Sequence, residues 1–275
     1  MELYDKSCFE CSKLITNNYS TSFSLGIKAF DSELHLPIYG IYGFVRFADE
    51  IADTFHHIDK QKHLADFKTQ TYQAIDEKIS LNPILQSFQL VVNKYGIEKE
   101  IIEPFFRSME MDLDIKDFHQ KLYEEYVYGS AEVIGLMCLR VFCNGDNKAY
   151  QEMLPFARKL GSAFQKINFL RDLKSDFEDR GRSYFPGIDI NSFNEIEKKK
   201  LEQEIEEEFY DGEKGLAMLP KSAQLGVTIA WSYYFELLKS IKKVEATKLI
   251  NERIRVPDNK KYILYATSYI KQRLN

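Results

Sequence analysis

Two pairs of aspartates constrain the fold of this chain more than any other feature of its sequence. Asp49 and Asp53 form the first pair, and Asp172 and Asp176 form the second, more than a hundred residues later. Both pairs interrupt helical, mostly apolar sequence, in which carboxylates without a partner are costly to bury. Residues four apart lie one turn apart on the same face of a helix. Each pair therefore predicts a helix that directs two carboxylates at a shared polar partner.

Further polar residues extend each pair at helical spacing. Tyr42 and Arg46 precede the first pair, and Gln165 and Asn168 precede the second. One such stripe alone is typical of a charged helix surface, but two stripes with aromatic and aliphatic neighbours indicate buried faces that need a common partner. Carboxylate and phosphate oxygens are the ligands that Mg²⁺ prefers. The two stripes therefore predict a site for Mg²⁺ and a diphosphate between two helices.

The composition narrows the class of protein. A chain of 275 residues can form one large domain or two small ones, and its 20 Phe and 17 Tyr suit either a deep apolar cavity or a well-filled core. The net charge of −5 argues against nucleic-acid binding. We find neither a signal-peptide pattern nor a charge-free apolar run of the roughly 18–20 residues that a membrane span needs. Four cysteines do not suggest a disulfide scaffold, so a cytoplasmic protein is expected, with membrane association as the alternative.

Glycine and proline are sparse and period-two alternation is rare, which predicts a single all-α domain over residues 1–275. Prolines 37, 83 and 104 are expected to open helices. The run 195–208 is expected to form a solvent-exposed helix with paired charges. Glu132 interrupts an apolar segment, and either it pairs with an arginine such as Arg140 or it touches the polar end of a cavity. The predicted helices cover residues 37–55, 61–77, two segments that start at 83 and 104, 118–142, 149–179, 195–208, 219–243 and 260–274.

Five segments of the chain carry a resemblance to a known family. They are Ser20-x-Ser22-Phe23, Tyr42-Gly-Phe-Val-Arg46-x-x-Asp49-Glu-x-x-Asp53, Tyr126-x-Tyr128-Gly-Ser-Ala131-Glu-Val-Ile-Gly135, Asn168-x-x-Arg171-Asp172-x-x-x-Asp176-x-x-x-x-x-Arg182-x-Tyr184-Phe185-Pro186 and the basic segment Arg253 to Lys261. In these segments the chain resembles the squalene/phytoene synthase family, the trans-isoprenyl diphosphate synthases that join two prenyl diphosphates head to head. The fourth segment is the most specific.

The resemblance implies an all-α isoprenoid-synthase-type bundle around a central cavity, and a prenyltransferase that ionises an allylic diphosphate with Mg²⁺. The implied metal ligands, with Mn²⁺ as the alternative ion, are Asp49, Asp53, Asn168, Asp172 and Asp176. The residues implied in catalysis are Asp49, Asp53, Asp172, Asp176 and Tyr126. The residues implied in binding the substrate diphosphates are Arg46, Arg171, Asn168, Gln165, Tyr42, Tyr234, Arg253, Lys261, Ser22 and Phe23.

Within the family, the expected reaction converts two geranylgeranyl diphosphates through a cyclopropylcarbinyl diphosphate to phytoene, in carotenoid biosynthesis and without NADPH. One alternative is a C30 enzyme that uses farnesyl diphosphate to make dehydrosqualene, hydroxysqualene or squalene. Another is a non-enzymatic assembly subunit with the same fold, which the retention of all four aspartates argues against. The expected partners are prenyl diphosphates and, for product release, a membrane surface. Substrate length, need for a reductant, oligomeric state and the basic residue that replaces the family's basic turn near Tyr19 and Thr21 stay open.

Overall fold

Helices form all the regular elements in the part of the chain that the structure describes. This computed structural model describes residues 2–115, 117–257 and 263, without the side chains of residues 21, 22, 179 and 180. The predicted helix over 260–274 therefore lies outside the described residues. The helices, in chain order, are α1 (Leu3–Tyr19), α2 (Thr21–Lys28), α3 (Ser32–Asp53), α4 (Lys60–Glu77), α5 (Pro83–Tyr95), α6 (Lys99–Asp114), α7 (Gln120–Val127), a π-helical segment (Tyr128–Glu132), α8 (Val133–Cys143), α9 (Asn147–Arg180), α10 (Glu195–Glu213), a 3₁₀ turn (Leu216–Met218), α11 (Lys221–Lys242) and α12 (Ala246–Asn251).

Two of the three prolines expected to open helices lie inside them instead. Pro83 begins α5 as predicted, but Pro37 and Pro104 are each the sixth residue of their helix, α3 and α6. A proline cannot donate the backbone hydrogen bond to the residue four before it, but it does not prevent earlier turns from closing. The first turn of α3 closes with a 2.9 Å bond from Leu34 N to Asp31 O. Both helices therefore start one and a half turns earlier than the prolines suggest.

The segment predicted as one buried helix over 118–142 contains a break in regularity. A π-helical turn separates α7 from α8, and Asn144 ends α8 in the left-handed conformation with φ 45°. Gly129 in this turn lies against α6, where a Cβ would be 2.2 Å from the carbonyl oxygen of Pro104. By length and composition, Gln120–Cys143 is the stretch of the described chain that is apolar enough to cross a membrane, and half of its most apolar window is buried inside the protein.

Two hydrophobic cores flank the centre of the molecule, and α9 contributes to both. The first core includes α3 and α5, where Phe44 and Phe88 stack with ring centroids 3.7 Å apart. The second core joins the later half of α9 to α10 and α11. The 34-residue α9 is capped by Asp146 and ends at Gly181, whose φ of 62° favours glycine. This helix was predicted nearly to its ends, and it carries the second aspartate pair on the half that packs in the second core.

The helix α10 is less exposed than its charged sequence predicted. Lys198 is 1% exposed and pairs with buried Glu202 at 2.6 Å. Ile205 and Phe209 also lie in the second core. The solvated face is therefore only part of the helix, because α10 packs along α9 and buries charged residues as ion pairs.

Candidate active site

A cavity of about 450 Å³ lies between α2, α3, α8, α9 and α11. Most of its wall is apolar, including Ile38 and Ile41 of α3 and Ile134 and Cys138 of α8. Polar side chains reach the wall from α3, α9 and α11; these are Tyr42, Gln165, Asn168, Arg171 and Tyr234. They interact with one another, and so form one polar end of the cavity. A mostly apolar cavity with a few converging polar groups is typical of a small-molecule site.

The first aspartate pair lies on the last two turns of α3. The helix is anchored by Phe44, which is fully buried, whereas the side chains of Asp49 and Asp53 keep 30% and 23% of their surface exposed. Arg46 lies 3.7 Å from Asp49 and also pairs with Glu50. Its buried Nε has no hydrogen-bond partner among the described residues. The Nε–H of Arg46 can therefore donate a hydrogen bond to a further acceptor beside Asp49.

The second aspartate pair lies on the later half of α9. Asp172 accepts hydrogen bonds of 3.0 and 2.6 Å from Arg171, and Arg253, beyond α12, lies 2.8 Å from the same carboxylate. Asp176, one turn further along, is 6% exposed. One turn earlier, the buried Oδ1 of Asn168 lacks a hydrogen-bond partner within the described part of the chain. An unpaired buried amide oxygen indicates a missing ligand, since such groups are otherwise paired.

A buried carboxylate that was not predicted for the site lies between the two pairs. The Tyr126 hydroxyl lies 3.0 Å from both carboxylate oxygens of Asp112 on α6, so the two oxygens share its single proton, and Tyr184 donates a hydrogen bond of 3.2 Å. Arg182, directly after α9, donates to Asp112 Oδ1 at 2.9 Å and lies 3.9 Å from Asp53 on α3. The network therefore connects the helix of the first pair with the end of the helix that carries the second.

Burial dominates the electrostatics of this network. It raises the pKa of Asp112 to about 6, against the opposing influence of the Arg182 guanidinium, and Asp53 adds to the rise. Burial also raises the pKa of Tyr126, so the phenol stays protonated and can donate. In the sequence, Arg182 belongs to the most specific of the family-like motifs. The only sequence feature that could have pointed to Asp112 as a site residue is its position between the apolar residues Met111 and Leu113.

Tyr126, predicted to act in catalysis, is not among the residues that line the cavity. It is 4% exposed, and its hydroxyl is occupied by Asp112 and Tyr184. The catalytic role of Tyr126 stays a prediction. Glu132 pairs with an arginine, which was one of its two expected roles, but the arginine is Arg158 at 2.5 Å and not Arg140, which pairs with Glu98.

The remaining residues predicted to bind the substrate either line the cavity or lie outside the part of the chain that the structure describes. Phe23 of α2 stacks on Tyr42 of α3 with ring centroids 4.6 Å apart, and both line the cavity. Burial raises the pKa of Tyr42 and of Tyr234. The side chain of Ser22 and the whole of Lys261 lie outside the described residues. The structure thus brings together the predicted residues on α2, α3, α9 and α11.

The donor set fits a hard divalent cation such as Mg²⁺. Four carboxylates and the unpaired amide oxygen of Asn168 are oxygen ligands of the kind that Mg²⁺ binds. Within the described ranges, three or more His, Cys, Asp or Glu side chains do not converge on one point. Mg²⁺ in proteins commonly takes several of its ligands from water and phosphates.

Comparison with known proteins identifies the family. Residues 16–260 match the family profile described as squalene/phytoene synthase. Over 97% of this chain and 94% of its own length, phytoene synthase of Arthrospira platensis is 24% identical. The 4,4'-diapophytoene synthase of Staphylococcus haemolyticus is 25% identical over 68% of this chain and 67% of its own length.

The fold has a close counterpart among solved structures. The crystal structure of a dehydrosqualene synthase in complex with ligand superposes with a TM-score of 0.84 and covers 98% of both chains, at 20% sequence identity. At 20% identity the structural similarity is evidence for the fold alone, and it confirms the expected all-α isoprenoid-synthase architecture. Because the family profile spans most of the sequence and the fold agrees, this chain belongs to the squalene/phytoene synthase family of prenyltransferases.

Proposed function

We propose that this protein joins two prenyl diphosphates head to head. The observation that carries the proposal is the apolar cavity whose polar end is built by the same two helices, α3 and α9, that hold the aspartate pairs. An apolar wall suits prenyl chains, and arginines beside carboxylates suit a diphosphate bound with divalent ions. Membership of the squalene/phytoene synthase family supports the same reaction.

Arginines supply the positive charge that the diphosphates need. Arg171 lines the cavity, and Arg46 lies one turn before Asp49 on the facing stripe of α3. We assign both to the diphosphate that leaves, because a planar guanidinium can donate two parallel hydrogen bonds to phosphate oxygens. Arg253 and Tyr234 are assigned to the second diphosphate. Their contacts with Asp172 and with the polar end of the cavity support this assignment.

The divalent ion is part of the proposal. Bound Mg²⁺ would act as a Lewis acid that neutralises the charge developing on the leaving diphosphate. The chain's own contribution is to hold oxygen atoms on two helix faces while arginines balance the total charge. The residues that would hold the ions are Asp49, Asp53, Asn168, Asp172 and Asp176.

The cavity wall protects the cation that remains after the diphosphate leaves. Its apolar side chains exclude water, which would otherwise capture the cation as an alcohol. The stacked rings of Phe23 and Tyr42 lie at the polar end, where the cation forms. Each aromatic face can contribute on the order of 2 kcal/mol of cation–π attraction when desolvated.

We propose geranylgeranyl diphosphate as the substrate and phytoene as the product, formed by proton loss without NADPH. The support is the similarity to Arthrospira platensis phytoene synthase over 97% of the chain. The second candidate is a C30 condensation of farnesyl diphosphate, which the similarity to a 4,4'-diapophytoene synthase favours.

Purified protein should be incubated with Mg²⁺ and radiolabelled farnesyl or geranylgeranyl diphosphate, with and without NADPH. We expect a C40 hydrocarbon from the longer substrate alone, unchanged by NADPH and abolished by a chelator. A C30 hydrocarbon would select the second candidate. If neither substrate yields a condensation product while circular dichroism shows a folded helical protein, the proposed function is wrong.

A further inference from the structure

The buried Asp112 lies at a junction that the proposed reaction does not by itself explain. Its side chain is 7% exposed, and it holds the guanidinium group of Arg182 through Oδ1 at 2.9 Å. Arg182 also donates a hydrogen bond to the backbone oxygen of Asp112. Two tyrosine hydroxyls, from Tyr126 and Tyr184, complete the shell of the carboxylate. Every polar contact of Asp112 thus serves to fix groups that come from other elements.

Arg182 has a second carboxylate within reach. Its Nη1 lies 3.9 Å from Asp53 Oδ1, a full ångström further than from Asp112. The side chain of Arg182 is only 10% exposed, so water can do little to satisfy the guanidinium group. The guanidinium group of Arg182 therefore lies between two carboxylates, and its Nη1 also donates a 3.0 Å hydrogen bond to the Tyr184 hydroxyl on the side of Asp112. Asp112 now has the shorter contact.

This competition bears on the ion site, because Asp53 is one of the carboxylates assigned to it. A guanidinium group that closed on Asp53 would occupy its oxygens and compete with a divalent cation for the same negative charge. Groups that orient a metal ligand from behind commonly change metal affinity or activity by about 10- to 100-fold when they are removed.

We propose that Asp112 is a positioning residue that holds Arg182 back from Asp53, so that Asp53 can serve the divalent ion rather than an internal arginine. This inference rests on the proposed function, since it assumes that Asp53 binds the ion. Asp112 acts through Arg182 and touches neither the cavity nor the substrate. The tyrosines keep its carboxylate turned towards Arg182.

The test compares Asp112→Asn, Arg182→Gln and the double variant. Asparagine keeps the size of the side chain and an acceptor oxygen, but it removes the charge that holds Arg182. Asp114→Asn is the matched control. Asp114 lies on the same helix, but its side chain is exposed and accepts a hydrogen bond from Gln61. Binding of Mg²⁺ in the presence of inorganic pyrophosphate is measured by calorimetry, and circular dichroism verifies the fold of each variant.

We expect Asp112→Asn to raise the Mg²⁺ concentration needed for half-saturation by about 10- to 100-fold. The double variant should bind as Arg182→Gln does, because without the guanidinium group there is nothing for Asp112 to hold. Turnover of Asp112→Asn should recover as Mg²⁺ is raised, whereas a purely structural defect would not respond to the ion. Asp114→Asn should match the wild type.

Two results would overturn the inference. Either Asp112→Asn binds Mg²⁺ as the wild type does, or the double variant binds more weakly than Arg182→Gln, so that the effect does not run through Arg182. The second comparison decides even if Asp112→Asn alone fails to fold. The proposed function fails separately, if the folded wild-type protein binds no Mg²⁺ with pyrophosphate and condenses no prenyl diphosphate.

Discussion

Replacement of Gly26 should change which prenyl chain the protein accepts. Gly26 lies on α2 and lines the cavity, and an ideal Cβ built on it meets no atom within 4 Å. A side chain at this position would therefore extend into space that a substrate chain can occupy. The helix itself should tolerate the change, because most residues favour a helix interior over glycine by up to about 1 kcal/mol.

The expected magnitude follows from the volume that the new side chain takes. Alanine adds one carbon and leucine adds four, and each substrate methylene displaced from the cavity loses about 0.8 kcal/mol of burial. The losses are then about 0.8 and about 3 kcal/mol, which correspond to about 4-fold and about 200-fold. They fall on the longer substrate, since its end reaches deepest. We therefore expect the kcat/KM ratio for geranylgeranyl over farnesyl diphosphate to fall by these factors.

The assay is a competition between the two labelled substrates at several ratios, with hydrocarbon products separated by length. The graded pair Gly26→Ala and Gly26→Leu provides its own control, since an effect of cavity filling must grow with the side chain. Thermal unfolding establishes that both variants are folded at the assay temperature. If the ratio for folded Gly26→Leu equals that of the wild type, the prenyl chain does not reach Gly26 and the reasoning is refuted.

Three further predictions concern the aspartates, the helix contact at the π-helical segment and the buried carboxylate. Asp49→Asn and Asp172→Asn should each lower turnover by at least about 10²- to 10³-fold without loss of helical circular dichroism, because each removes negative charge from the proposed ion site. Full turnover in either purified variant with Mg²⁺ would contradict the assignment. Gly129→Ala should lower the free energy of unfolding by about 2–3 kcal/mol and the Tm by about 5–10 °C, because its Cβ would lie 2.2 Å from the backbone oxygen of Pro104. An unchanged Tm would show that α6 and the π-helical turn can move apart without loss of stability. Burial raises the pKa of Asp112 from 3.8 to about 6, so the folded state binds a proton more tightly than the unfolded state does. As pH rises from about 4 to about 6, the wild type should therefore lose about 2 kcal/mol of stability relative to Asp112→Asn. If the free energies of unfolding measured in urea change equally with pH for the two proteins, the shift is contradicted.

Matched variants separate these effects from general damage. Asp66→Asn removes a carboxylate from an exposed position of α4, and it should leave turnover unchanged. Gly26→Ala is the control for Gly129→Ala, because both replace a helical glycine, but only the second meets a backbone atom. If both glycine variants lose stability equally, the loss does not come from the contact with Pro104.

The sequence was sufficient to predict the elements whose signals are local. The extent of α9 followed from its apolar spacing and from Gly181, which ends the helix. The placement of the aspartate pairs on two helices followed from spacing alone, because i and i+4 residues share a face in any regular helix. The helix starts at Pro37 and Pro104 were wrong, because the helices begin at Ser32 and Lys99 and continue through the prolines, although each proline lacks the backbone donor that an interior position normally uses.

Contacts between distant residues were out of reach of such reasoning. Asp112 and Arg182 are 70 residues apart, and only the fold brings them to 2.9 Å. The Glu132 partner was sought on the same helix, whereas Arg158 lies on α9, 26 residues away. The charged face predicted for α10 is present but covers only part of the helix, because what covers Lys198 is determined by packing against other helices.

The π-helical segment Tyr128–Glu132 sets which side of α8 borders the substrate space. An α-helix turns by about 100° per residue, so a turn with one additional residue rotates everything beyond it by about that angle relative to everything before it. Ile134 and Cys138 line the cavity in this rotated state. Shortening the segment by one residue would therefore rotate α8 by about 100°, replace Ile134 and Cys138 in the cavity wall with residues from another face of the helix, and change the shape of the chamber.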